Sequence, residues 1–219
     1  AGHPEYKVRY WWDARKKEAV VRVLQTQATN GETNLFSLPI EFSFRSGKQE
    51  KRFKETVDKK SHLFRYTLKA EPEVVLFDPD HWILKKVDFP KSEDMGVRQL
   101  TQDPHVLGRV DAAKALGKVG SPAVVEALAT ALLTETFWHV QGEIAQALGQ
   151  IRTPAASRAL LRAHSDVEHP KARRAILYAL GEFREIQVRD RLLETYGDEK
   201  SYFAFNQAVR ALARQGDPS

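Results

Sequence analysis

The seven histidines of this 219-residue chain are the first place to look for chemistry. A zinc hydrolase of the H-E-x-x-H kind needs two imidazoles four apart on one helix face, with the Glu between them polarising the metal-bound water. No His here begins that motif. The nearest arrangement, HSDVEH at 164–169, has one residue too many for the inverted H-x-x-E-H form and runs into Pro170. It reads as a solvated turn between helices. Cysteine is absent, which excludes thiolate metal sites, disulfides and thiol nucleophiles. No Ser-His-Asp set and no Gly-rich phosphate loop stands out. The chain by itself is expected to be catalytically silent, with neither catalytic nor metal-binding residues.

The elements around those histidines carry a repeat. Leu116, Leu148, Leu180 and Leu212 fall 32 residues apart, each preceded by Ala (Ala115, Ala147, Ala179, Ala211), and the first three are followed by Gly117, Gly149 and Gly181. Leu128, Leu160 and Leu192 keep the same interval. Small Ala beside Leu lets helices approach closely while Leu fills the space between them. Gly is read as closing the first helix of each unit in a left-handed conformation. Ser121-Pro122 and Thr153-Pro154 then start the second helix, hydroxyl as N-cap and Pro at the first position. Such helix pairs cannot bury their apolar faces alone, so they stack into an α-solenoid. Tetratricopeptide and ankyrin signatures are missing, and the units resemble short HEAT-like repeats. Asp217-Pro218 falls where the second helix of a fourth unit would begin. The natural chain is therefore expected to continue past a truncated fourth unit.

The first half has period two. VVRVLQTQ (20–27), LPIEFSF (38–44), LFRYTL (63–68) and VVLF (74–77) are β-branched and aromatic, with NGET (30–33) and SGK (46–48) as turns. YKVRYWW (6–12) opens a further hairpin, and HWILKKVDF (81–89) is read as the last strand. Six or seven short strands without an intervening helix predict an antiparallel, immunoglobulin-like β-sandwich over 1–92. HEAT-like repeats forming an α-α superhelix follow over 93–219, after a polar linker, PKSEDMGV (90–97). KQEKRFKETVDKK (48–60) is placed on an edge or hairpin with Phe53 and Val57 turned inward. Its interleaved Glu50, Glu55 and Asp58 dilute the field that a phosphate backbone requires. Hydrophobic residues at 42% and charged residues at 29% fit an ordered globular protein. Residues 1–98 hold 19 basic and 15 acidic side chains and residues 99–219 hold 15 and 14, so the basic excess sits in the first half. No apolar run reaches membrane-spanning length and no signal-peptide core is present, so the reading is cytoplasmic, with no nucleic-acid and no membrane partner.

FDPDHWILKKVDFPKS (77–92), followed by QLTQDPHVLGRVDAAKALGKVGS (99–121), resembles the aminopeptidase N-like zinc metallopeptidases. The sandwich ending of that family, Asp-Pro-x-x-Trp-x-Leu-Lys, is similar to Asp78, Pro79, Trp82, Leu84 and Lys85, and its Gln-x-Gln pair corresponds to Gln25 and Gln27. The resemblance implies a β-sandwich followed by a helical superhelix, both downstream of a catalytic domain that holds zinc through H-E-x-x-H and a later Glu. It also accounts for DPDH (78–81) as a turn capping the last strand without a metal.

On this reading the chain is a non-catalytic C-terminal part of such an enzyme. Its partner is its own upstream catalytic domain, Zn is expected in that domain and no cofactor in this chain, and peptides meet the concave solenoid surface. Arg109, Gln141, Arg173 and Phe205, equivalent positions in four units, are the residues expected to face substrate. Trp11-Trp12 is read as one core and one partly covered ring, Trp138 as packed on the preceding unit, and YFAF (202–205) as buried. Two rivals stand beside this reading. One is a protein-interaction scaffold like the aminopeptidase-like subunit of a general transcription factor, in which the zinc site has decayed. The other is a HEAT-like bilin lyase or chaperone module, against which the sandwich half counts.

Overall fold

Alternation builds the first sheet. In β1 (Glu5–Asp13), Tyr6 and Val8 are buried and Tyr10 and Trp12 pack on the same core, while Lys7, Arg9 and Trp11 face away, as a strand with one covered face requires. β2 (Glu18–Gln25) returns antiparallel. Asp13 closes this hairpin, its Oδ1 accepting the N–H groups of Arg15 and Lys16 at 3.1 and 3.2 Å, and Lys17 takes φ 53°. The computed structural model describes residues 2–29, 34–198 and 202–216; the turn NGET and the Asp217-Pro218 pair lie outside the described residues.

β3 (Leu38–Ser46) and β4 (Gln49–Val57) form the next hairpin, with Gly47 at φ 56° in its two-residue loop. β5 (Ser61–Thr67) crosses to the first sheet, β6 (Val74–Phe77) pairs with β3, and β7 (Lys86–Asp88) pairs with β1. The sheets run β5-β2-β1-β7 and β4-β3-β6. Tyr6, Phe64 and Tyr66 of one meet Phe77 and Phe42 of the other with ring centroids 5.2–5.9 Å apart. This is a β-sandwich. The charged stretch forms edge strand β4 with Val57 buried and Phe53 packed on the core, and its charges guard the open edge.

Two readings of this half are corrected. The last strand is only Lys86–Asp88, and it runs parallel to β1 where an antiparallel arrangement was expected. Residues 81–85 leave the ladder because Asp78 takes the N–H groups of Trp82 and Ile83. The polar linker is folded in part: α1 is Glu93–Gln102, capped by Ser92 Oγ at 3.3 Å from the Met95 N–H, with Glu93 and Asp94 at its positive end. The chain divides into two compact units, Ala1–Arg98 and Gln99–Ser219.

The second unit is a helical repeat array. Its first helices are α2 (Val106–Gly117), α4 (Trp138–Ile151), α6 (Pro170–Leu180) and α8 (Tyr202–Gly216); its second helices are α3 (Pro122–Thr134), α5 (Pro154–Asp166) and α7 (Ile186–Asp198). Ser121 and Thr153 accept from the N–H groups of Val124 and Ala156, with Pro at the first helical position, as their sequence requires. Leu128, Leu160 and Leu192 are each fully buried.

The repeated glycines do more than end helices. Gly117 is the last residue of α2 and Gly181 the C-cap of α6 at φ −61°, while Gly149 lies inside α4. None is left-handed; Gly120 and Arg152 are the left-handed residues that follow α2 and α4. A Cβ on Gly117 would lie 2.9 Å from Cα and Cβ of Ala147. On Gly149 it would lie 3.0 Å from Ala179 Cβ, and on Gly181 3.0 Å from Ala211 Cβ. The Gly of each unit therefore receives the Ala of the next. Ala115 of the first unit, with no earlier repeat to meet, is exposed, whereas Ala147, Ala179 and Ala211 are buried.

Candidate functional site

The four positions expected to face substrate lie in the second unit. Arg109 chelates Glu135, Nε to Oε2 at 2.8 Å and Nη2 to Oε1 at 3.1 Å, and donates to the Asp103 carbonyl at 3.0 Å. Gln141 is 8% exposed and donates to the carbonyls of Glu135 and Leu132 at 2.9 and 3.5 Å. Arg173 and Phe205 are half-buried. Arg109 and Gln141 are thus committed to bonds that tie each first helix to the preceding turn.

Glu135 is the hub of that turn. Its Oε1 also accepts the Thr136 and Phe137 N–H groups at 3.0 and 2.9 Å. Burial pushes its carboxyl up, but the Arg109 guanidinium and those two backbone donors outweigh burial and hold it below its ordinary value. Asp103, one repeat earlier, does the equivalent for His105 N–H at 3.0 Å and packs against Gly108. This acidic pair went unnoticed in the sequence; its 32-residue spacing two positions ahead of each helix cap was the available signal. Leu100, Asp103, Arg109, Ala131, Glu135 and neighbours line an open polar cleft of about 330 Å³. In its lining Arg109 and Glu135 pair with each other and the Asp103 carboxylate accepts the His105 N–H.

The histidines are dispersed. His164 lies in the last turn of α5, so HSDVEH begins on a helix and only then becomes a turn. His169 caps α6, its Nδ1 accepting from the Lys171 N–H at 3.2 Å, and His105 caps α2 in the same way at 3.3 Å. Trp138 stacks on His169 with centroids 5.7 Å apart and lies 4.5 Å beneath the Lys171 ammonium. These partners belong to the following unit, where packing on the preceding one was expected. Lys171 and Trp138 form a cation–π pair.

In the sandwich, Asp78 at φ 53° is 3% exposed; it receives the Trp82 and Ile83 N–H groups, each at 3.1 Å, and the Lys85 ammonium. Asp80 takes Arg52 through two contacts of 2.6 and 3.3 Å. DPDH is therefore a clamped turn, as read. The clamp projects Trp82 and Leu84 at 84% and 85% exposure. Trp11 is 44% exposed while Trp12 packs on the core. Gln25, 1% exposed, fills its amide with four bonds: to the Phe36 carbonyl (2.8 Å), the Lys59 carbonyl (3.3 Å), the Phe36 N–H (3.0 Å) and Gln27 (2.8 Å). Tyr6 is pushed up to about 12 by burial and by the nearby Asp78 carboxylate, so it stays protonated at neutral pH. Among the described residues no three His, Asp or Glu side chains form a metal-binding group, and no helix is long and apolar enough to cross a membrane.

Residues 95–169 match the HEAT-repeat family. A solved structure of Legionella pneumophila aminopeptidase A in complex with aspartic acid matches 97% of this chain with a TM-score of 0.66 at 12% identity. This chain covers 32% of that one. Human deoxyhypusine hydroxylase in complex with glycerol matches 57% of this chain and 44% of its own, with a TM-score of 0.52 at 23% identity. No curated protein matched the sequence. At these identities the likeness is one of fold: a β-sandwich followed by HEAT-type helical repeats.

Proposed function

We propose that this chain is the non-catalytic rear of a zinc-dependent aminopeptidase. The sandwich serves as spacer and the repeat array as a wall of the peptide chamber, while an upstream domain holds zinc and cleaves N-terminal residues. The observation that carries this reading is the match to an aminopeptidase over 97% of the chain, of which the chain spans about a third. The Asp78–Lys85 clamp falls on the sandwich-ending motif that first suggested the family. Peptides and the upstream domain are the proposed partners, in the cytoplasm.

The test is to express the chain with its natural upstream sequence and measure release of N-terminal residues with and without a chelator. Chelator-sensitive turnover in the longer protein, and none in residues 1–219, is the expected result. An upstream sequence without H-E-x-x-H, or a longer protein without turnover, refutes the peptidase reading. The second reading, an interaction scaffold, draws support from Trp82 and Leu84, two large apolar side chains held out on a rigid turn. Such anchors suit protein contacts.

A further inference from the structure

The near-even charge of residues 99–219 hides a division between layers. First helices α2, α4, α6 and α8 carry seven Lys and Arg against two acids; second helices α3, α5 and α7 carry four against five. Exposed cations on the first layer include Lys114, Lys171, Arg174 and Arg210, beside half-exposed Tyr178 and, stacked 4.3 Å over its ring, Arg214. Both layers hold ion pairs: Lys114 lies 3.6 Å from Glu143 and Arg214 3.0 Å from Glu182. On the second layer Arg162 lies 3.9 Å from Asp166 and Arg191 3.4 Å from Glu194. The layers differ in net charge.

The spacing of the layers gives this basic face its shape. First helices touch through Gly and Ala at each junction, whereas second helices bury Val124, Leu128, Leu132, Leu160 and Leu192. A stack whose one layer is more closely spaced curves toward that layer, so the first helices line its concave side. The repeat puts Lys114, Gln146, Tyr178 and Arg210 at one equivalent position, one per helix. Packed helices are about 8–10 Å apart. An extended polyproline-type segment advances about 3.1 Å per residue with three residues per turn. One side chain in every three would therefore meet successive helices.

We propose that the exposed face of the first-helix layer docks an extended acidic polypeptide segment, one side chain in about three meeting successive helices. A peptide suits the face better than a nucleic acid. Gln146 and Gln150 are exposed there and can both donate to and accept from a peptide backbone, whereas a phosphodiester backbone only accepts. This deepens the proposed function, resting on it only for the layer's role as a wall that meets peptides.

The test uses the whole 219-residue chain and fluorescence anisotropy with a labelled peptide of repeated Glu-Pro-Ala. The Lys-Pro-Ala counterpart and a single-stranded oligonucleotide of equal charge serve as competitors. Saturable binding of the acidic peptide, weakened by salt, is expected. Arg174→Glu with Arg210→Glu should lower affinity at least about 10-fold, while Arg158→Glu with Arg162→Glu on α5 changes it less than about 2-fold. Absence of binding, tighter binding of the basic peptide or of the oligonucleotide, or equal loss in both double variants overturns the proposal. Circular dichroism checks folding of the variants; if the first pair does not fold, the comparison of ligands on the unaltered chain still decides. An upstream sequence without a zinc motif would end the peptidase reading and leave this result standing, and the reverse also holds.

Discussion

Three glycines of the repeat array can be graded by the space beside them, and the grading predicts stability. A Cβ on Gly117 would lie 2.9 Å from both Cα and Cβ of Ala147 and 3.2 Å from Gln150 Oε1. Two of these contacts are closer than carbon atoms approach, and one is to backbone, so α2 and α4 must part by several tenths of an ångström. Overpacking of this kind costs about 1–3 kcal/mol. Gly117 ends its helix, where the usual gain of about 1 kcal/mol from Gly→Ala is reduced. Gly117→Ala is therefore expected to destabilise by about 1–2 kcal/mol, by difference of those two terms. At Gly142, in the middle of α4, the nearest atom is Ala175 Cβ at 3.4 Å, close to ordinary contact. There the propensity gain dominates, and Gly142→Ala is expected to stabilise by about 0.5–1 kcal/mol. Gly149→Ala, facing Ala179 Cβ at 3.0 Å, falls between. Urea unfolding followed by far-ultraviolet circular dichroism ranks the three. An order in which Gly117→Ala is neutral or stabilising, or in which Gly142→Ala is the worst, refutes the claim that these glycines exist for close helix approach.

Replacing Asp78 by Asn leaves the Lys85 ammonium, whose side chain is 8% exposed, buried without its counter-charge. A loss of about 3–5 kcal/mol in sandwich stability by urea unfolding is expected, with partial recovery on adding Lys85→Met; full stability of the single variant would refute the clamp. Gln25→Leu removes an amide with four partners, and about 2–4 kcal/mol should go with it, since several backbone groups lose their only described side-chain partner. Glu135, whose carboxyl is held below its ordinary value of 4.5, contributes stability that is fully present above that value. The contribution is lost as pH falls below 4.5 through the depressed folded value. The gap in unfolding free energy between the parent chain and Glu135→Gln should accordingly be about 1–3 kcal/mol near neutrality and close on acidification; a gap independent of pH would refute the Arg109–Glu135 pairing.

Much of the architecture could be read from local chemistry. Alternating Tyr6, Val8 and Tyr10, the Gly47 turn, and the Ser-Pro and Thr-Pro helix starts each obey a rule acting over a few residues. What failed was what depends on which partner a group takes in the folded chain. HWILKKVDF has strand composition, yet Asp78 captures the backbone of its first half. The Ala-Leu-Gly triplet does end α2 and α6, but the contact that requires Gly lies 30 residues away at Ala147, Ala179 or Ala211. Of the residues expected to face substrate, Arg109 and Gln141 were picked by repeat position, and spacing alone could not say that Glu135 and its carbonyl would engage them.

The repeats are also an alignment of the chain with itself, and that alignment separates support from recognition. At the positions of Ala147 and Gly149, contact with a neighbouring helix favours small residues, and Ala recurs in all four units and Gly in the first three, with Ala213 in the fourth. One residue earlier, the series Lys114, Gln146, Tyr178, Arg210 shares neither charge, size nor shape. If those side chains were held by packing they would be as uniform as their neighbours, because the backbone around them is. Their diversity is what a surface released from packing permits, and the excess of Lys and Arg over acids on their layer as a whole is what release alone does not explain. A random scatter of charge would leave the first and second helices alike, whereas they differ in sign. The spacing of Gly and Ala that draws the first helices together is thus also what gathers those charges into one face.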